Sequence, residues 1–322
     1  MKIRLRLFVL LFAGWCSGVL AQGYPSKPVK IVVPYPAGGY FDIVGRIVGN
    51  ALSESLGQPM IVENKVGANG IVGTEFTAKA PPDGYTIMVG GIGPHAINVS
   101  LYSKLPYDPV RDFVPIIFLA EQPLIVVVNP KMDVHSLKDL IALARSRPGQ
   151  LTYSSPGAGS TPHLAAVMLS SIEKIKLNHV PFNGSAPAVT AVLAGVTDLL
   201  FGTASDVLQQ INAGKLRALA VTGTRRISAL PNLPTVAELG VPNYEATAWF
   251  AFFAPAGTPP EIVATLNATI GKVLGMPDVH EKLSAQGTAQ IIGGTPERLA
   301  SHAKSEITKW AKIVKESNAK VE

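Results

Sequence analysis

The 322-residue chain contains a single cysteine, Cys16, and that scarcity narrows its chemistry at once. Cys16 sits in a segment ordered like an export leader: Lys2, Arg4 and Arg6, then apolar Leu7 to Ala13, then Val19-Leu20-Ala21 ahead of a cut before Gln22. Cleavage there leaves no cysteine, which excludes disulfides, thiolate metal sites and a cysteine nucleophile. Trp15, directly before Cys16, stands where a lipid-attachment site needs a small residue. The apolar stretch falls short of the ~20 residues that span a bilayer, and no later segment is long and apolar enough to cross one. A basic block is also missing. The net charge of +6 falls to +3 once Lys2, Arg4 and Arg6 leave with the leader, so nucleic-acid binding is not expected. No histidine pair has metal-ligand spacing, and no metal or other cofactor is expected. Residues 1–21 are therefore read as a signal peptide directing the protein to the periplasm.

What the rest of the chain has is alternation. Strands are expected at 29–34, 60–63, 86–89, 116–120, 124–128, 151–154, 179–181, 199–201 and 217–221. Helices are expected at 43–56, 137–146, 162–171, 186–194 and 207–213, with three more near 261–274, 279–285 and 296–316. Alternating β and α elements imply an α/β fold with parallel sheets flanked by helices. A mature length of about 300 residues favours two domains. No internal repeat and no low-complexity tract interrupts the pattern.

Four strand–loop–helix junctions share one design. They are Pro34 to Asp42, Ser154 to His163, Pro181 to Pro187 and Gly202 to Asp206, each rich in glycine or hydroxyl residues just before a helix. A helix start presents unpaired N–H groups and the positive end of its dipole. Several such starts converging at the C-terminal ends of strands make an anion site. None of the four loops carries Lys or Arg, which favours a carboxylate over a phosphate. Asp42 and Asp206 stand where N-caps belong, and Arg46 reads as an ion-pair partner rather than a ligand contact. His95 and His163 read as hydrogen-bonding structural groups.

The run Val33-Pro34-Tyr35-Pro36-Ala37-Gly38-Gly39, with Asp42 and Arg46 after it, is followed by Val62-Glu63-Asn64 with Gly67-Ala68-Asn69-Gly70, and by Pro82-Asp83-Gly84-Tyr85-Thr86. Then come Val180-Pro181-Phe182, Gly214 to Ala220, Leu230 to Thr235, and Ala254 to Pro259. In this order and spacing the mature chain resembles the Bug/TctC family, the extracytoplasmic binding proteins of tripartite tricarboxylate transporters. The resemblance implies a two-domain periplasmic-binding-protein (Venus flytrap) fold, each domain a mostly parallel sheet flanked by helices. Residues 22–123 and 250–322 would form a discontinuous first domain and 124–249 the second. It implies a ligand carboxylate held by the loop after the first strand (Gly39, Tyr40, Phe41, Asp42) and by Ser154, Ser155, Gly159, Ser160 and Thr161. Thr203, Ala204 and Asp206 would line the same cleft, with Asn183 and Gly184 from the third junction and Gly91 and Ile92 at its edge. The partners implied are a small organic carboxylate and inner-membrane permease subunits, and the protein is not an enzyme. One departure stands out: Tyr40 and Phe41 occupy positions that are often small in this family. They either narrow the cleft, stack on an aromatic or bulky acid, or pack into the core.

Rival readings are weaker. Gly91-Ile92-Gly93-Pro94-His95-Ala96 fits a dinucleotide loop by letter, but Pro94 interrupts the turn. A secreted α/β hydrolase lacks its serine elbow, because Ala158 stands in place of the first glycine of that motif, and no Ser/His/acid set is evident. A sensor that presents its bound form to a membrane signalling partner such as a sensor kinase is compatible with solute binding.

Overall fold

The structure, a computed structural model, describes residues 23–284 and 287–317, so the leader read at residues 1–21 lies outside the described residues. The first unit alternates β1 (Val29–Val33), α1 (Tyr40–Leu56), β2 (Met60–Asn64), α2 (Ile71–Ala78) and β3 (Thr86–Gly91). A buried π-helical turn at Gly93–Ile97 and the short α3 (Asn98–Leu101) follow. The long strand β4 (Phe113–Val128) leads into a second unit: α4 (Leu137–Ser146), β5 (Thr152–Ser155), α5 (Thr161–Glu173), β6 (Asn178–Pro181), α6 (Ser185–Ala194), β7 (Leu199–Thr203), α7 (Ala204–Asn212) and β8 (Arg217–Val221). The chain then returns through β9 (Thr247–Pro255) to α8 (Pro260–Leu274), α9 (Pro277–Leu283), β10 (Gln290–Ile291) and α10 (Pro296–Ser317).

Local chemistry sets these boundaries. Ser136 accepts the Asp139 amide and caps α4, while Ser160 accepts the His163 amide and caps α5, whose first turn admits Pro162. On α1, Gly45 and Gly49 let the helix lie close on β1. A Cβ at Gly49 would come within 3.0 Å of Ile31, and one at Gly45 within 3.1 Å of Val33. The β-branched residues of β1 are buried on both faces, and only the partly buried Lys30, paired with Glu63, interrupts the apolar run.

The strands are ordered β2-β1-β3-β9-β4-β7-β5-β6, with β8 and β10 also pairing to β4. Outer strands pair in parallel, as alternation requires: β1 with β2 and β3, and β5 with β6 and β7. The central strands β4 and β9 run antiparallel to their neighbours. Helices α2 and α3 and strand β10 lie where the sequence reading placed no element, and two features of the central sheet also differ from it. The expected strands 116–120 and 124–128 are one strand, which changes partners midway: 113–123 pair with β9, and 124–128 pair with β7 and β8. Pro123, lacking an N–H, falls at that exchange, where a strand proline costs least. Strand β9, unforeseen in the sequence, is buried along its whole length and covered on both faces, so its apolar run carries no alternation to mark it.

One core packs α1 and α8 on the first sheet through Val44, Ile87, Phe252 and Leu266, and another fills the second unit around Val127, Val192 and Leu200. A third runs across the junction between the units, with Trp249, Trp310, Tyr244 and Phe201 among its members.

Candidate functional site

A cavity of about 920 Å³ opens where the two units meet. Gly38, Gly39, Tyr40 and Ile43 reach it from the start of α1, and Ser205 and Asp206 from the start of α7. Ser228 and the surroundings of α9 (Asp278, Glu281, Lys282, Ser284, Gly287) complete the wall.

The α1 side is held from beneath. Gly39 is the residue before the helix, with extended backbone, and Gly38 adopts a left-handed φ of 87° that favours glycine. Asp42 is not the cap expected of it but the third residue of α1. Its buried carboxylate accepts from the Gly38 amide at 3.0 Å, Arg46 Nε at 3.0 Å and Asn64 Nδ2 at 2.9 Å. Burial raises its pKa, but the bonds from Arg46, Gly38 and Asn64 outweigh it and hold the group below the usual carboxylate range. Asn64 Nδ2 also donates to the Tyr35 carbonyl at 3.0 Å. The Tyr35–Gly38 loop is thus tied at both ends to one buried anion and its amide partner, and Arg46 is spent on Asp42 of its own helix and on Asn64 Oδ1 of β2 at 3.0 Å.

Tyr40 and Phe41 divide their roles. Phe41 lies 4.4 Å from Tyr35 and 4.7 Å from Phe250, ring to ring, and a Cβ on Gly91 would come within 3.1 Å of it. Tyr40 also meets Phe250, at 4.7 Å, and donates its hydroxyl to the Leu283 carbonyl at the end of α9. It still lines the cavity, and offers it a ring rather than a free hydroxyl. Gly91 and Ile92 are buried and run straight into the π-helical turn, and neither is among the residues lining the cavity.

In the second unit, Ser154 donates to the Ala188 carbonyl at 2.9 Å and is fully buried. Ser155 contacts His179 Nε2 at 2.7 Å and accepts the Gly157 amide at 3.2 Å. Gly159 has φ 76°, and a Cβ there would lie 2.4 Å from Leu101, so the tip of this loop touches α3 of the first unit. Ser160 caps α5 and Thr161 is its first residue. Gly184 precedes α6 and donates to the Pro156 carbonyl at 3.1 Å, beside exposed Asn183. Thr203 precedes α7 and Ala204 is buried, while Asp206, like Asp42, is third in its helix rather than its cap. The structure therefore brings Gly39, Tyr40 and Asp206 to one cavity, and places Ser154, Ser155 and Gly159 in a neighbouring loop that spans the gap at Leu101. His95, by contrast, makes none of the hydrogen bonds expected of it: both ring nitrogens are buried without a partner, and the ring stacks on Phe253 at 3.9 Å.

Sequence reasoning missed Ser228, Asp278, Glu281, Lys282, Ser284 and Gly287. Helix α9 is short and polar, and only the topology shows that it faces the cavity. Three carboxylates and one ammonium line the wall, and Lys282 lies 3.5 Å from Asp278. No surplus positive charge is available, so an anion here relies on helix-start N–H groups and hydroxyls. The Ser155–His179 contact resembles half of a hydrolytic triad, yet Ser155 is wholly buried and the charge acting on His179 from a carboxylate is absent among the described residues. Also among the described residues, no His/Cys/Asp/Glu cluster is placed to hold a metal ion and no helix is long and apolar enough to cross a membrane.

Residues 44–319 match the family described as the tripartite tricarboxylate transporter family receptor, TctC. The protein BugT of Bordetella pertussis is 38% identical over 310 residues, covering 96% of this chain and 95% of BugT. Among solved structures, Rpa4515 of R. palustris with adipate superposes with a TM-score of 0.81 at 37% identity, covering 92% of this chain and 98% of that one. MatC from Rhodopseudomonas palustris with bound malate gives 0.77 at 32% identity, covering 90% of this chain and all (100%) of the other.

Proposed function

Because this chain belongs to the tripartite tricarboxylate transporter receptor family, whose members are periplasmic solute-binding proteins and not enzymes, we propose that it captures a small organic carboxylate between its two domains and delivers it to the permease subunits of such a transporter. One observation carries this reading: the starts of α1 and α7, from different domains, face a single cavity. Their unpaired N–H groups supply donors for an anion where side-chain charge does not. The adipate and malate held by the two relatives are both dicarboxylates of a size this cavity admits. A hydrolase has no comparable support.

The domains are proposed as 22–123 with 250–322, and 124–249, and the leader as a signal peptide cut after Ala21. The carboxylate is assigned to the α1 start (Gly39 to Asp42) and the Ser154–Thr161 loop, with Asn183, Gly184, Thr203, Ala204 and Asp206 around it. Asp206 lines the cavity from the α7 side, where its carboxyl can accept from a ligand hydroxyl beside the helix-start N–H groups. Tyr40 gives the cavity an aromatic wall suited to an acid with an apolar chain or ring. A ligand touching both domains favours the closed arrangement by its differential contacts, and the closed form docks on the permease.

A thermal-shift screen of the mature protein against adipate, malate and aromatic acids, with sugars and amides as controls, tests the reading. A ligand at about 100 times its dissociation constant adds about 2.7 kcal/mol of stability. A shift with acids alone supports it; a shift with neutral solutes and none with acids sinks it.

A further inference from the structure

Two stacked imidazoles stand behind the Ser155–Ser160 loop. The rings of His163 on α5 and His179 on β6 lie 4.0 Å apart at 14°, and Tyr153 on β5 stacks on His179 at 4.9 Å. Each histidine grips a different end of the loop. The Gly159 amide donates to His163 Nδ1 at 3.0 Å, and Ser155 Oγ meets His179 Nε2 at 2.7 Å. The loop closes on itself through Ser160 Oγ, which donates to the Gly157 carbonyl at 2.7 Å.

We propose that His163 and His179 are positioning residues for this loop, and that acidification weakens ligand binding because His163 must stay neutral to hold Gly159. The proposal rests on the reading that the loop holds a ligand carboxylate.

The two rings respond differently to a proton. His163 Nδ1 accepts from a backbone amide, so the neutral ring carries its hydrogen on Nε2. Protonation puts a second hydrogen on Nδ1, facing the Gly159 N–H, and the bond is lost. Gly159 has little room to adjust, given its left-handed backbone and its contact with Leu101. His179 is more tolerant. If its Nε2 becomes a donor, the Ser155 hydroxyl turns its hydrogen to the Gly157 carbonyl, 3.0 Å away.

The surroundings offer a charged ring no compensation. His163 is only 5% exposed, and the titratable groups its ring faces are His179 and the phenol of Tyr153, itself held protonated by burial. No carboxylate among the described residues acts on either imidazole. Burial, and then the charge of His179, push His163 down to about 4, and burial lowers His179 as well. The sign follows. A ring released from the loop titrates near 6.5. The loop is therefore fully held above that value and is lost progressively as the pH falls toward 4.

The test uses the mature protein with adipate as probe. Calorimetric titrations run from pH 8 to pH 6, and NMR titration of the histidine ring protons and the Gly159 amide is carried on down to pH 3. The expected result is near-constant affinity from pH 8 to 7 and a loss at pH 6 of up to about fourfold, the ceiling set by ring values of about 6.5 and 4. The Gly159 amide shifts with the midpoint of His163. His163→Asn places an acceptor at the position of Nδ1 without titrating. It retains more affinity at pH 8 than His163→Leu, and its pH profile is flat. Affinity that falls equally in wild type and His163→Asn, or a Gly159 amide indifferent to His163, overturns the proposal. If adipate fails to bind at pH 8 while Gly159 still follows His163, the positioning stands and the adipate-like ligand is what fails.

Discussion

The hydroxyl of Thr222 accepts the Leu124 amide at 2.7 Å, and so joins the middle of β4 to the residue that follows β8. The same hydroxyl donates to the Ala246 carbonyl at 2.6 Å, and the Ala246 amide donates to the Thr222 carbonyl at 3.0 Å. One fully buried side chain thus ties β4 to the segment leading into β9. Thr222→Val keeps the shape and leaves the Leu124 amide without its partner. It should cost about 1–3 kcal/mol in denaturant unfolding, and most of that should return in Thr222→Ser. Unchanged stability in the valine variant would show that the hydroxyl is dispensable.

Asp42→Ala removes the acceptor that Gly38, Arg46 and Asn64 share. A stability loss of about 1–3 kcal/mol is expected, with weaker carboxylate binding, because the Gly38 loop loses its anchor. The folded pKa of Asp42 is depressed, so its contribution is present above the ordinary value of 3.8 and is lost as the pH falls below it. Melting curves at pH 7 and pH 3 should therefore separate wild type and variant at the higher pH and bring them together at the lower.

His95 sets a second acid sensitivity. Burial alone pushes its pKa down to about 3, and neither ring nitrogen has a partner. The unfolded chain takes a proton near 6.5 that the folded chain refuses, so stability is complete above 6.5 and declines toward 3. The loss reaches about 2 kcal/mol at pH 5. His95→Phe, in a pocket already walled by Phe113 and Phe253, should shrink the difference between pH 8 and pH 5. An equal acid loss in the variant would assign the effect elsewhere.

Tyr40 lines the cavity with its ring. Tyr40→Ala removes the ring that spans from Phe250 to the Leu283 carbonyl. Longer diacids should gain on shorter ones by about tenfold in relative affinity, read by calorimetry with suberate against adipate. Tyr40→Phe loses only the hydroxyl bond and should leave that ratio near the wild-type value. A ratio unmoved by the alanine change would place Tyr40 outside the specificity wall.

Much of this was legible in the chain itself. The βα alternation and the glycine-rich helix starts follow from local propensity and turn chemistry, whereas Asp42 and Asp206, read as N-caps, each stand third in their helix. What escaped depends on partners distant in sequence. Strand β9 is apolar throughout, and its place between β3 and β4 belongs to the sheet order rather than to its own residues. The roles of Tyr40 and Phe41 turn on Phe250, and Asp42 becomes an anchor only beside Asn64. His163 and His179 carry no shared motif, and only the parallel pairing that sets Tyr153 opposite His179 brings them face to face.

The position of β9 also governs when the protein can fold. The first sheet has a gap between β3 and β4 until residues 247–255 arrive to fill it. A growing chain that stops short of Thr247 holds two bare strand edges and nothing to pair them, a state that folds slowly and invites association.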